Sequence, residues 1–566
     1  MPSTRTAPLA LADVRALREA AQRFGPAARA TKTSLLAALR RRGLARPRVL
    51  AEYHDALLFL AAYADDEAVA ALADAELARV ARCARKLAAA GAATPGSSGM
   101  AWCSISAALS YDIARWLDAR FPGRVELTSF GDGGAQLADV LALALPAMEA
   151  DSLALGDEPI ALLDRLKGRA GTRLRFLLAH LARMRVPAAV RGHLYESLTP
   201  FVTIEPRDTP ASRTFLRGLP APVHRQDAPL VRSLADPRAV IERPPPAPRS
   251  LSAGERAALV DTARATLAML ARETDPLTWP AVDAVSLHEL EGGWSVALYP
   301  MDPERRFALD SHTGYLLFRN RVPVAYGGSW PFLGVCRTGI NVFPAFRGGE
   351  SALAFAQVLR VYRAWYGCAR FVVEPYQFGA GNAEGLRSGA FWFYWRLGFR
   401  PVEARLRRLA TREFARLQRE RGARSPLPLM RELTGADLAL DLAPLPAEQR
   451  IEAGSLAFAV SAWIARAHGG DREAAQRDAL ERVRAALDVR DDAQWPDGER
   501  AAFRSLALLV GLVDDLAQWS ASEKSACVAL MRAKGAADDR PYFLGLAAHP
   551  RLPSSLARIV RGHARP

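Results

Sequence analysis

Asn341-Val-Phe-Pro-Ala-Phe-Arg-Gly-Gly-Glu-Ser-Ala352 reads as the end of a strand, a glycine-rich turn and the opening of a helix. Such a turn leaves the first amides of a helix unsatisfied at the positive end of its dipole, and so offers a place to an anion. Gly348 and Gly349 let the backbone approach a ligand closely, and Arg347 adds a guanidinium whose fork matches phosphate. Taken alone, a strand–helix turn with two glycines is common, and an ordinary connection reads it equally well.

Working outward, the period of the sequence sets this turn in a sheet. Residues 285–289, 294–299, 315–319, 322–326 and 339–343 are short β-branched or aromatic runs separated by turn residues, the pattern of a strand meander. Residues 353–366 return to helical spacing, 369–373 form a buried-strand run, and 390–397 are helical again. Meander, helix, strand, helix is an α/β or α+β order, with a mixed and mostly antiparallel sheet expected.

Two further stretches complete the pattern. Arg370-Phe-Val-Val-Glu374 supplies the next strand, and Tyr394-Trp-Arg-Leu-Gly-Phe399 closes the following helix. In this order, residues 280–402 resemble the GCN5-related N-acetyltransferase (GNAT) superfamily. The resemblance implies acetyl-coenzyme A or another acyl-coenzyme A as donor, with no metal. Its pyrophosphate would lie over the amides of Arg347, Gly348, Gly349, Glu350, Ser351 and Ala352. Its pantetheine arm would run along Asn341, Val342 and Phe343, between that strand and the one ending at Glu374. The two strands are expected to lie parallel and to splay at their ends. Tyr394 matches the family tyrosine that protonates the leaving thiolate, a proton delivery that a nearby phenol can perform. The bland reading of Tyr394 is an aromatic packed among Phe391–Trp395.

Two departures from the pattern matter. Position 350 carries Glu where the pattern has Gly, and a carboxylate at a helix N-terminus would repel a pyrophosphate placed there. Either the side chain points away, the donor differs, or the site is degenerate. Asn382 lies twelve residues before Tyr394, whereas the family asparagine stands closer to the tyrosine. The loop 378–388, with Gly379, Gly381 and Gly385, therefore reads as enlarged on the acceptor side, with Tyr376, Phe378, Asn382 and Glu384 as substrate-facing candidates. Glu374 is the first candidate for a general base, and Glu384 and His288 follow; each also reads as a surface or structural residue.

Around this domain the text is alanine-, leucine- and arginine-rich. Residues 1–199 read as a mainly helical region, with 100–121 as one of its amphipathic helices. Residues 200–250 read as a proline-rich connector ending in Pro244–Pro245–Pro246–Ala247–Pro248. The domain itself spans 251–402, its first helix opened by the capping box Ser252-x-x-Glu255, and 403–566 is helical, with a second box at Ser520-x-x-Glu523. The fold expected is thus multidomain: a central α+β, GNAT-like domain between mainly α-helical N- and C-terminal regions.

Composition bounds the rest. The net charge is +15, carried almost wholly by Arg, with Lys only at 32, 86, 167, 524 and 534. This reads first as compositional bias, although it permits nucleic acid or anionic lipid as a partner. The basic stretches 29–48 and 405–424 lack interleaved aromatics beyond Phe414 and read as solvated helix faces. Gly96-Ser-Ser-Gly99 and Gly131-Asp-Gly-Gly134 lack a Gly-Lys-Ser/Thr continuation and read as turns. The five cysteines form no C-x-x-C pair, and the histidines form no close ligand pair. No signal peptide and no apolar run of spanning length is visible, which makes a cytoplasmic location the default expectation.

Three functions are compatible with these residues. The first is a transferase moving an acyl group from acyl-coenzyme A to an amine or hydroxyl by direct attack. The second is a related transferase using aminoacyl-tRNA or an acyl carrier, and the third is a non-catalytic binding module in a helical scaffold. The acceptor is not legible.

Overall fold

The computed structural model describes residues 7–562 apart from Gly156, Ala170 and Arg421. The chain divides into two compact units. One runs to Leu230 and adds Ala258–Thr274 and Arg319–Pro323; the other comprises Val231–Ala257, Asp275–Phe318 and the chain from Val324 onward. This differs from four consecutive blocks. The helix Ala253–Ala268, expected to open the central domain, counts with the first unit from Ala258 on. Among the described residues no helix is long and apolar enough to cross a membrane.

The first unit starts with helices Leu11–Ala21, Pro26–Leu39, Pro47–Ala62 and Glu67–Ala89. Each buries one stripe, such as Val14 and Leu17 on the first and Val69, Ala73, Leu77 and Val80 on the fourth. Beyond them the mainly helical text is interrupted by strands. β1 (Ile105–Ala108), β2 (Val125–Phe130) and β3 (Pro200–Ile204) form an antiparallel sheet in the order β1-β3-β2. The helix expected over 100–121 is therefore shorter, Tyr111–Arg120, capped by Ser110. Ile105 and Ala107 are buried while Ser106 and Ala108 are exposed, a period of two that one isoleucine and three small residues conceal. β3 also lies inside the stretch read as a connector. Pro200 starts this strand, a position where its missing N–H is tolerated, and downstream Thr214 is buried and shares a hydrogen bond with His54 Nε2 at 3.1 Å.

The second unit is built on a nine-stranded mixed sheet. Its strands are β4 (Ser286–Glu289), β5 (Trp294–Pro300), β6 (Thr313–Arg319), β7 (Val322–Phe332), β8 (Val335–Thr338), β9 (Asn341–Val342), β10 (Arg370–Val373), β11 (Arg400–Pro401) and β12 (Leu438–Asp441). The order is β11-β12-β10-β8-β7-β6-β5-β4, with β9 also on β7. β8 and β10 are parallel, whereas the pairs β4–β5, β7–β8, β7–β9, β10–β12 and β11–β12 are antiparallel. The mostly antiparallel α+β reading thus holds. The C-terminal stretch is not helical throughout, because β12 stands between β10 and β11.

Helix Ser351–Tyr366 follows the glycine turn and buries Phe355, Val358, Leu359 and Tyr362. It stops at Gly367, whose φ of +67° gives the left-handed cap that glycine adopts without strain. Arg360 on this helix is fully buried. It donates to the carbonyls of Arg243 and Pro244, both at 2.7 Å, and to Glu291 at 2.6 Å. Beside it, the Glu291 carboxyl is held down to about 2. Residues 231–244, read as connector, are consequently ordered along the helix.

Candidate functional site

The sheet breaks at one place. β8 and β9 keep a single register against β7, from Phe332↔Val335 to Ala325↔Val342, but the ladder is interrupted at Gly339 and Ile340. On its other side β8 follows β10 only from Val335↔Arg370 to Arg337↔Val372. The two parallel strands therefore part just after Arg337. The run expected at 339–343 as the partner of 369–373 is displaced: 335–337 pair with β10, and only Asn341–Val342 remain strand beyond the gap.

Backbone groups and aromatic hydroxyls converge on this gap. Tyr315 donates from its hydroxyl to the Gly339 carbonyl at 2.6 Å. Tyr394, on helix Ala390–Arg396, is buried, and burial pushes its phenol well above the ordinary range, so it keeps its proton at neutral pH. The opposing influence on it is the backbone N–H of Ile340, which favours the ionised form. Phe355, Phe378 and Phe399 meet the Tyr394 ring edge to face, with centroids 5.8, 6.3 and 5.8 Å away. Gly327 and Gly339 are small for a reason. A Cβ on Gly327 would stand 2.6 Å from the Gly339 oxygen, and one on Gly339 would meet the Gln377 side chain at 2.6 Å.

The turn itself opens at Gly348, with φ of +79°. Gly349 is buried and its N–H reaches the Phe346 carbonyl at 3.2 Å. No side chain caps the helix, whose first residues Ser351 and Ala352 are half-buried. Glu350 is only 4% exposed, and its carboxylate accepts the Val231 N–H at 2.9 Å. Arg347 lies at the surface, donating to the Val342 carbonyl at 3.2 Å and to Glu384 at 2.6 Å. A proposed phosphate contact and a proposed acceptor-side residue are thus each other's partner. Asn341 is exposed and Val342 half-buried, while Phe343 is buried and stacked on Tyr326 at 5.6 Å.

The loop after β10 holds fewer free side chains than its composition suggests. Asn382 caps helix Ala383–Ser388 through the Gly385 N–H and donates to the Tyr376 carbonyl. Phe378 is buried against Phe391, and Tyr376 is 62% exposed. Glu374 is exposed and ion-paired to Arg337 at 3.3 Å, which also holds Asp437 at 3.2 Å. His288 is buried on the edge strand β4, edge to face with Trp365, with β5, β6 and β7 between it and the gap. Burial and the neighbouring Arg540 push its imidazole down to about 4. A base near the gap is therefore not His288.

Tyr315, Gly339, Ile340 and Gln377 were not singled out by the sequence, although Gly327–Gly328 inside a strand run signals close backbone approach. Among the described residues no group of three or more His, Cys, Asp or Glu is placed to hold a metal ion. No family profile, curated protein or solved structure matches the chain.

Proposed function

We propose that the gap between β8 and β10, with the glycine turn and Tyr394, is the acyl-transfer site of a GNAT-like enzyme using acetyl-coenzyme A or another acyl-coenzyme A. The observation that carries this reading is the break in the ladder at Gly339 and Ile340, just past the last β8–β10 pair and beside the buried phenol of Tyr394. A thioester in the gap would place its sulfur toward the Tyr394 hydroxyl. The acceptor's amine or hydroxyl adds to the thioester carbon, and the C–S bond breaks. The thiolate takes the Tyr394 proton, while the acceptor's own proton leaves to solvent or to Glu374. The first amides of helix Ser351–Tyr366 and Arg347 would face the pyrophosphate. A second reading, a donor other than coenzyme A, draws on the Arg347–Glu384 pair, which occupies that guanidinium in the resting chain.

Tyr394→Phe tests the reading. The chain is expected to bind acetyl-coenzyme A in calorimetry, and the variant to bind it comparably. Thiol release with a panel of small amines and alcohols should fall by about 100-fold or more in the variant. Failure of the parent chain to bind coenzyme A, or an undiminished rate in Tyr394→Phe, rejects it.

A further inference from the structure

The second unit contains a cavity of about 670 Å³ at the end of β10 remote from the glycine turn. Its lining includes Arg238, Arg370, Arg396, Arg400, Arg407 and Arg450, against two carboxylates, Asp236 and Asp441. One carboxylate is ion-paired and the other caps a helix while keeping its charge. Asp441 pairs with Arg370 at 2.6 Å, and Asp236 accepts the Ala239 N–H at the start of helix Pro237–Glu242. Arg238 pairs with Glu242 at 3.0 Å. Arg396, Arg400, Arg407 and Arg450 remain, and none has a carboxylate within ion-pair distance among the described residues.

Three of these four guanidinium groups are held by backbone. Arg400 donates to the carbonyls of Trp395 and Phe399, both at 2.8 Å, and lies 3.9 Å over the Trp395 ring. Arg407 donates to Pro401 at 3.0 Å and Val402 at 3.3 Å, and Arg450 to Leu445 at 3.2 Å. Arg400 closes the end of helix Ala390–Arg396, an ordinary use of arginine. That use accounts for one of its nitrogens, and the carbonyl contacts account for two nitrogens of Arg407 and one of Arg450, but no carboxylate among the described residues answers the charge of any of the four. Gathering like charges around a concavity is unfavourable in the empty chain, and both burial and Arg407 act against the charge on Arg400. A bound anion removes this cost, and positioned guanidinium forks match phosphate oxygens.

We propose that this arginine-lined cavity binds a small phosphorylated ligand carrying at least two phosphoryl groups, independently of the glycine turn. Each phosphoryl brings roughly 1.5 to 2 negative charges near neutral pH, so two of them answer the net charge of about three that these four guanidinium groups and Asp236 leave, where one does not. The volume lies in the range of roughly 300–1,000 Å³ that small-molecule sites occupy.

The test is calorimetry of the full chain with inorganic pyrophosphate and tripolyphosphate, with sulfate as the single-anion control. One saturable site is expected for the polyphosphates, with sulfate weaker. Arg396→Gln/Arg407→Gln, two exposed positions whose loss leaves the core intact, should weaken pyrophosphate at least tenfold. Arg416→Gln, an arginine already paired to Glu413 and Glu420, should change nothing. Absence of saturable binding overturns the proposal, as does binding that survives the double substitution or falls equally in Arg416→Gln. Loss of pyrophosphate in Arg347→Gln, with the double variant unaffected, assigns the anion to the glycine turn and also overturns it. Binding of an oligonucleotide without pyrophosphate would replace the small ligand by nucleic acid.

Discussion

Replacing Glu350 separates two accounts of the glycine turn. Its carboxylate is almost wholly buried and accepts the Val231 N–H at 2.9 Å. A hydrogen bond to a buried charged group contributes about 1.5–3 kcal/mol, and a carboxylate at a helix N-terminus a further ~0.3–1 kcal/mol. Glu350→Gly should therefore destabilise the second unit by about 2–4 kcal/mol. Glu350→Gln keeps an acceptor and loses only the charge, so its cost should be nearer 1–2 kcal/mol, roughly half. Two readouts measure this: the thermal midpoint, and hydrogen exchange of the Val231 amide, which should quicken in the order parent, Gln, Gly. Coenzyme A affinity answers a different question. A carboxylate facing a pyrophosphate at ~5 Å, with an effective dielectric near 20, repels it by about 3 kcal/mol, so its removal would tighten binding by roughly 100-fold. With the carboxylate turned to Val231, Glu350→Gln should instead leave coenzyme A affinity within about threefold. Tightening beyond tenfold, or an unchanged Val231 exchange rate in Glu350→Gly, refutes the reasoning.

Two other outcomes follow from the same geometry. Glu384→Gln frees Arg347 from an exposed ion pair, with the partners 49% and 66% exposed, of a kind contributing ~0.2–1 kcal/mol; coenzyme A should bind about twofold to fivefold tighter, with the gain shrinking as salt rises, and weaker binding by calorimetry would show that Glu384 helps to hold the ligand. Acid should destabilise the second unit through His288 and His312, both buried and both pushed down to about 4, His288 by burial with Arg540 and His312 by burial. The folded values lie below the unfolded one, so stability is complete above about pH 6.5 and is lost progressively toward pH 4, by about 2 kcal/mol per histidine between pH 7 and 5. Denaturation curves at those two pH values should show a smaller difference in His288→Gln/His312→Gln, and an equal difference rejects the assignment.

The sequence made the helix after the glycine turn and the strand of Phe371 legible because each is long or apolar enough to display its own period, whereas the strand expected at 339–343 shrinks to Asn341–Val342. β12 was not. Leu438-Ala-Leu-Asp441 is indistinguishable from the surrounding helical text, and its insertion between β10 and β11 is decided by pairing with Val373 and Pro401. The same holds for β1, where Ile105 and Ala107 provide only two inward residues. At the site, Tyr394 and the turn carry local signatures. The gap does not, because it arises where β7 continues to pair past the end of the β8–β10 ladder, and no local pattern encodes that difference. By sequence Asn382 is set against the family asparagine before the tyrosine, and its side chain closes the loop on itself through Gly385 and Tyr376, a partner choice that spacing does not display.

Proline content misled for a more instructive reason. Proline removes donors from a segment and leaves every carbonyl, so a proline-rich stretch is unsuited to a sheet but well suited to a concentrated donor. Arg360 is such a donor: its guanidinium takes the carbonyls of Arg243 and Pro244 from inside helix Ser351–Tyr366. At the start of that helix the complementary arrangement appears, where the Glu350 carboxylate takes the Val231 amide. Residues 231–244 are thereby fastened to one helix by an acceptor at its start and by donors farther along it, Arg360 and also Arg363, which pairs with Glu242 at 3.8 Å. Val231 precedes Glu350 by 119 positions, so the partner that explains the carboxylate could not be read beside it. Glycine at position 350 would free the helix amides equally well but would release the strap at the start of the helix. A neutral amide leaves the Glu350 charge in place but turns the carboxylate toward the strap, so a phosphate over the neighbouring amides would meet it from the side rather than face on.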